Sequence, residues 1–276
     1  MSACRKTNSC ETTLIRLTED WKMAADNREY VTILSTDMSK AFDSLQTALM
    51  IQKLKAYGFS ETSLNLFWSF LEQRRNRVKL QEAHSAWKEQ KRGCPQGSSF
   101  GPLLWNLFQN DLSLHGQSAN LFMYADDHQI YTSDIDIQKA AQTLREQTEA
   151  VSQCYKENLL QANPQKYQIL TIDLQPSRKT PGYVLTMEFD GHEVKSSDYL
   201  KILGVTTDSK LTFSEHIREI CKKTSCNVGV LLRLRNLIPR SAKLQLYKSN
   251  ILPHLTYCDV VWHFCKSSDK KKMERI

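Results

Sequence analysis

The sequence predicts an α+β fold: a mixed helix-and-strand body over residues 1–208, then a helical region over 209–276. Three observations lead there. Short β-branched, apolar runs such as YVTILS (30–35) alternate with stretches of helical hydrophobic period. Residues 120–132 alternate apolar and polar around a Tyr124–Ala125–Asp126–Asp127 centre, the pattern of a hairpin with acids at its turn. From Phe213 onward the spacing is helical throughout and the residues are basic, including Lys222, Lys223, Arg233, Arg235, Arg240 and Lys243.

The elements follow in order. Leu14, Leu17, Trp21 and Met23–Ala24 recur at near-helical spacing. Tyr30–Ser35 is a short buried strand running into Thr36–Asp37. Phe42, Leu45, Leu49 and Ile51–Leu54 form one helical stripe that Gly58 stops. Ser60 is placed to cap a helix holding Leu64, Phe67, Trp68 and Leu71. Arg77–Gln81 and Ala86–Gln90 resemble a polar, basic strand pair. After Pro95, Gly97, Gly101 and Pro102 comes an apolar helix with Leu103, Leu104, Leu107, Phe108 and Leu112. Residues 135–158 make an amphipathic helix on Ile137, Ala141, Leu144, Thr148, Val151 and Tyr155. Gln168–Leu174 is a strand, Asp190–Gly191 a hairpin turn, and Tyr199–Thr206 a further strand. Helices follow from Phe213 and from about Ser241.

Composition narrows the class. The 276 residues are 41% hydrophobic and 24% charged, ordinary globular values, which excludes a fibrous or disordered polymer. No stretch of bilayer length is apolar enough to span, and MSACRKTNSC has no apolar signal region. The expected setting is intracellular, nucleus or cytoplasm, not secreted. A net charge of +7 permits a polyanionic partner without requiring one. The eight cysteines are scattered and read as reduced thiols. His254, Cys258, His263 and Cys265 fall close together, but their spacing is irregular for zinc and buried thiols are the better reading.

Asp37, Asp126 and Asp127 stand out because carboxylates set in apolar strand sequence are costly to bury, and several together repel one another. A hard divalent cation removes that conflict, since Mg²⁺ takes carboxylate and phosphate oxygens. Asp126 and Asp127 also suit a plain turn, where Asp is favoured.

The surrounding words favour the first reading. The sequence resembles the reverse transcriptases of non-LTR, LINE-type retrotransposons. STDMSKAFDSL resembles their motif A, RGCPQGSSFGPLLWNLFQNDL motif B, and LFMYADDHQIY motif C with its YADD box. ENLLQANPQKYQIL resembles motif D, and YLKILGVTTDSKLTFSEHI resembles motif E running into the thumb. The resemblance covers nearly the whole chain. It implies a right-hand polymerase palm, a small antiparallel sheet backed by helices, with partial fingers and palm over 1–208 and a truncated helical thumb over 209–276. It implies RNA-directed DNA synthesis on an RNA template, a DNA primer and dNTP substrate, with two Mg²⁺ ions and Mn²⁺ as an alternative. Asp37, Asp126 and Asp127 are then the catalytic acids, and the Met38 carbonyl completes the metal shell. Phe42 lies under the sugar and excludes a 2′-hydroxyl. Gln96 and Gly97 meet the incoming nucleotide and template, and Lys166 helps protonate the leaving pyrophosphate. Lys40 and Asp43 are assigned to local structure.

Two departures accompany the resemblance. Tyr167 stands where the family usually has a small hydroxyl residue after the motif D lysine. The family's upstream finger motifs, with the basic residues that hold the triphosphate, have no counterpart before NSCETTLIRLTEDW. The alternative is therefore a catalytically inactive or repurposed remnant that at most binds nucleic acid.

Overall fold

The computed structural model describes residues 3, 7–38, 41–115, 118–175, 184–189 and 191–275. The mixed part opens with helix α1 (Cys10–Asp26), strand β1 (Tyr30–Thr36) and helices α2 (Ala41–Ser44), α3 (Thr47–Ala56) and α4 (Glu61–Leu71). Four short strands follow, β2 (Arg74–Asn76), β3 (Lys79–Leu80), β4 (Ala83–His84) and β5 (Lys88–Gln90), then helix α5 (Gly101–Phe108). The hairpin β6 (Asn120–Tyr124) and β7 (Asp127–Asp134) leads to α6 (Ile137–Glu157), β8 (Gln168–Ile172), β9 (Thr186–Phe189), β10 (His192–Lys195), β11 (Tyr199–Ile202) and β12 (Val205–Asp208). The rest is helical: α7 (Ser214–Arg233), α8 (Arg240–Asn250), α9 (Leu252–Thr256), α10 (Asp259–Trp262) and α11 (Ser267–Glu274). Among the described residues no helix is long and apolar enough to cross a membrane.

The central sheet is antiparallel throughout, in the order β6-β7-β1-β8. Side chains on a strand alternate between faces, and here each face has its own core. Leu34, Ile130 and Ile169 point into one cluster with Leu144, Val151 and Tyr155 of α6. Ile33, Tyr131 and Leu170 point into the other, with Leu14, Leu17 and Trp21 of α1 and Ile217 of α7. Helices thus cover both faces, although a sheet covered on one face was the simpler expectation.

Local chemistry sets several boundaries. Ser9 Oγ accepts the Thr12 N–H at 3.1 Å to start α1. Ser60 caps α4 as its sequence suggests, accepting from Ser63 N at 3.4 Å. The expected single helix from Phe42 to Tyr57 is instead split at Leu45–Gln46. The split has a physical cause: the Leu45 and Phe42 carbonyls accept from Gly93 N (2.7 Å) and Cys94 N (3.1 Å) of a distant loop rather than from the next helical turn.

Other expectations change in register. Arg77–Gln81 does not pair with Ala86–Gln90. Instead β2 pairs with β5, and β3 pairs with β4 inside that ladder. Nearly every residue there is exposed, so no buried face fixes register and the turn decides it. The expected strand Tyr199–Thr206 is two strands, β11 and β12, turning at Leu203–Gly204, both at positive φ. β9 pairs with β10 around the expected turn, of which Gly191 has φ +76° and Asp190 lies outside the described residues.

Candidate active site

The site begins where β1 ends. The last rung of the β1–β7 ladder pairs Thr36 with His128. One step further, the register sets Asp37 across from Asp127. By the pleat, both lie on one face, while Thr36 and His128 lie on the other. The chain beyond β1 is held by a bond from Asn163 N to the Asp37 carbonyl (3.0 Å) and by a bridge between Met38 and Ala162. That bond uses the Asp37 carbonyl and not that of Met38.

The other acids sit on the β6–β7 turn. Ala125 takes φ +55°, unfavourable for a residue with a Cβ, so the turn needs outside support. Two buried side chains give it: Trp105 Nε1 and Gln109 Nε2 donate to the Ala125 carbonyl at 2.9 and 3.0 Å. The following residues, Asp126 and Asp127, are thereby held at the strand end. Burial raises the Asp127 pKa above the ordinary carboxylate value, and the charges of Asp126 and Asp37 raise it further. Asp126 and Asp37 therefore both lie within electrostatic reach of Asp127.

Lys166, in a short 3₁₀ turn (Pro164–Lys166), places Nζ 2.6 Å from Asp37 Oδ2. The Asp37 carboxylate in contact with it raises the lysine pKa. The side chain is 62% exposed, so water screens the pair.

The motif A and motif B segments meet beside this cluster. Phe42 is half-buried, its ring 5.3 Å from that of Trp105. Trp105 therefore touches both Phe42 and the acid-bearing turn. Gln96 is exposed and donates Nε2 to Asp43 Oδ1 at 3.0 Å. Gly97 is exposed at φ +80°, with open space where a Cβ would stand. Gly93 is the reverse case: a Cβ there would lie 2.7 Å from Asp43 Cα and 2.9 Å from the Phe42 carbonyl. Alongside runs an open cavity of about 700 Å³ bordered by Arg74, Arg75, Asn76, Gln90 and Gln96. Arg74 is fixed there by the Arg92 carbonyl at 3.1 Å and the Gly93 carbonyl.

The donor chemistry fits a hard divalent cation. The side chains are all carboxylate oxygen donors, and their mutual repulsion is what a cation relieves. Among the described residues no three His, Cys, Asp or Glu side chains form a ready-made metal cage. The fit is that of an open site, the kind Mg²⁺ occupies with one or two carboxylates, water and substrate phosphate. In the C-terminal cluster Cys258 and Cys265 are buried thiols and His263 is exposed.

Sequence reasoning overlooked Gly93, Trp105, Gln109 and His128. Trp105 and Gln109 are spaced i, i+4 on an apolar helix, so a polar group on the buried face was the available signal.

Comparison with known proteins decides the family. Residues 2–207 match the family described as reverse transcriptase (RNA-dependent DNA polymerase). The chain belongs to that reverse transcriptase family. Among its relatives, the chain is 29% identical over 270 residues to a probable RNA-directed DNA polymerase from transposon BS of Drosophila melanogaster. It is 30% identical over 271 residues to the corresponding protein from transposon X-element of the same fly. These alignments cover 94% and 95% of the chain but 29% of each relative, so the chain spans under a third of their length. A further relative, 29% identical over 260 residues, is an RNA-directed DNA polymerase from mobile element jockey of Drosophila melanogaster. In fold, the chain is similar to apo telomerase from Candida Tropicalis truncated from its C-terminal domain. The TM-score is 0.53 at 14% identity, over 76% of this chain and 40% of that one. Telomerase from the same organism in complex with a fragment of telomeric RNA gives 0.51 over 100% and 44%.

Proposed function

We propose that this chain is the palm and thumb portion of an RNA-directed DNA polymerase, with residues 1–208 as partial fingers and palm and 209–276 as thumb. The substrate is a dNTP added to a DNA primer 3′-hydroxyl on an RNA template, inside the cell. One observation carries the reading: burial, and then the charges of Asp126 beside it and Asp37 at the end of β1, raise the pKa of Asp127.

Asp37, Asp126, Asp127 and the Met38 carbonyl would hold two Mg²⁺ ions. When bound, the pair supplies a nucleophilic 3′-oxygen and neutralises charge on the departing pyrophosphate. The chain's own residues do the rest. Phe42, half-buried and held against Trp105, would form the wall that a 2′-hydroxyl meets. Gln96, tied to Asp43, and Gly97 line the approach of the nucleotide. Lys166 holds its proton at Nζ, and passing it to the leaving group requires the ammonium to part from Asp37. Arg74 and Arg75 of β2 give the open cavity two cations for phosphate, so affinity should fall with salt.

The test is primer extension on poly(rA)/oligo(dT) with Mg²⁺, using the chain as it stands and joined at its N-terminus to the fingers segment of a mobile-element relative. We expect the longer form to extend primer, with Asp126→Ala abolishing extension. A folded longer form that binds primer–template but never extends it would favour the remnant reading.

A further inference from the structure

The Asp126–Asp127 pair is bracketed by one buried amide. Gln109 donates Nε2 to the carbonyl of Ala125 (3.0 Å), just before the pair, and its Oε1 lies 2.9 Å from Nε2 of His128, just after it. Hydrogen-bond logic fixes every direction from there. A carbonyl only accepts, so the amide nitrogen faces Ala125 and the amide oxygen faces His128. His128 Nε2 then carries the proton, and Nδ1 accepts from the Tyr155 hydroxyl at 2.8 Å. The Tyr155 oxygen in turn accepts from Thr36 Oγ1 at 3.3 Å, and Thr36 immediately precedes Asp37.

Four side chains, from the end of α5, from β7, from α6 and from β1, therefore form one directed chain. Their exposures are 2%, 0%, 2% and 2% in that order. Its links touch the residues flanking all three acids: 125, 128 and 36.

Folding alone does not call for such a chain. The surrounding layer is apolar, built of Leu34, Ile130, Leu144 and Val151. Apolar residues of matching size would fill it without the desolvation cost of four polar groups. Apolar packing, however, sets distances loosely, whereas linked hydrogen bonds also set angle and register. Sites for metal and substrate need their ligands held within roughly 0.5 Å.

We propose that Gln109, His128, Tyr155 and Thr36 are positioning residues. From the opposite face of the sheet, they hold the carboxylates of Asp37, Asp126 and Asp127 at the spacing a divalent-ion pair requires. The inference rests on the metal-binding reading above.

The experiment is Mn²⁺ binding to the 276-residue chain, read from water-proton relaxation and from the electron paramagnetic signal of free Mn²⁺, beside urea unfolding of each variant. Tyr155→Phe removes one hydroxyl and keeps the ring. Gln109→Met keeps the volume and removes both amide bonds. Val151→Ala is the control, a cavity in the same core that removes no hydrogen bond of the chain. We expect the Mn²⁺ dissociation constant to rise at least 5-fold in Tyr155→Phe and at least 10-fold in Gln109→Met. Val151→Ala should lose more stability than Tyr155→Phe yet stay within 2-fold of wild-type affinity. Wild-type affinity in folded Tyr155→Phe overturns the proposal, whether or not Gln109→Met folds. So does a loss in Val151→Ala as large as in Tyr155→Phe. Wild-type chain that binds no Mn²⁺, or binding that survives Asp126→Asn, overturns the metal reading itself and the network with it, and shows before any network variant is made.

Discussion

Gly93 and Gly97 allow backbone strain to be separated from close packing at the junction of motifs A and B. Both take nearly the same positive φ, +83° and +80°. Alanine at either position pays for the left-handed conformation, about 1–2 kcal/mol. The entropy that alanine removes from the unfolded chain is the same for both and cancels in their difference. Only the surroundings differ. At Gly97 the new methyl meets open space. At Gly93 it meets Asp43 Cα at 2.7 Å, the Phe42 carbonyl at 2.9 Å and the Asp43 carbonyl at 3.0 Å. These are backbone atoms that cannot swing aside as a side-chain tip does. Relief means moving the loop off α2, which lengthens the bonds from Gly93 N to Leu45 and from Cys94 N to Phe42. Overpacking of this kind costs about 1–3 kcal/mol. Gly93→Ala should therefore be about 1–3 kcal/mol less stable than Gly97→Ala, measured by urea unfolding followed by circular dichroism. Equal destabilisation of the two, within about 0.5 kcal/mol, would refute the argument that this contact locks motif A against motif B.

Two further outcomes follow from charge. Asp127→Asn should melt higher than wild type in EDTA at neutral pH, because a carboxyl whose folded pKa is raised costs stability once ionised. The gap should close as pH falls toward the ordinary carboxylate value, and a variant that melts lower in EDTA at neutral pH would contradict this. His216 is buried between β12 and α7, and burial pushes its pKa down to about 4. A depressed histidine stabilises fully above its unfolded value of about 6.5, and that stability is lost as pH falls toward 4. Between pH 7.5 and 5.0 wild type should lose about 2 kcal/mol more than His216→Leu, and parallel urea titrations with equal losses would rule this out.

Much of the fold was legible because its signals are local or periodic. α1 and α6 show amphipathic stripes, β1 is a β-branched run, and the β6–β7 hairpin shows alternation around its turn. The split between α2 and α3 was not legible. Nothing between Phe42 and Tyr57 breaks a helix; carbonyls there are claimed by Gly93 and Cys94, some fifty residues along the chain. The β2–β5 ladder misled because an exposed, polar ribbon carries no hydrophobic alternation to fix its register. At the site, the acids were legible as words and as an electrostatic oddity. The hydrogen-bonded frame was not, since Gln109 and His128 read in sequence as ordinary polar residues beside apolar ones.

That frame explains how a strained turn can carry two repelling carboxylates. Left to itself, the Ala125 conformation and the Asp126–Asp127 repulsion would both favour opening the hairpin tip. Trp105 and Gln109 oppose this by converging on one carbonyl, and they can do so only if α5 itself is fixed. Lys53 of α3 fixes it. Its ammonium donates to the Phe108 carbonyl at the end of α5 and lies 2.8 Å from the Asp111 carboxylate. It also sits 4.6 Å from the centre of the Phe108 ring. The pair is largely buried on the lysine side, so a partner lost there leaves a charge stranded, which is costlier than losing a surface pair. Support thus runs from Lys53 to α5, from α5 to the Ala125 carbonyl, and from there to the acids. The strain lies at the tip, and the elements that offset it lie one and two layers behind it.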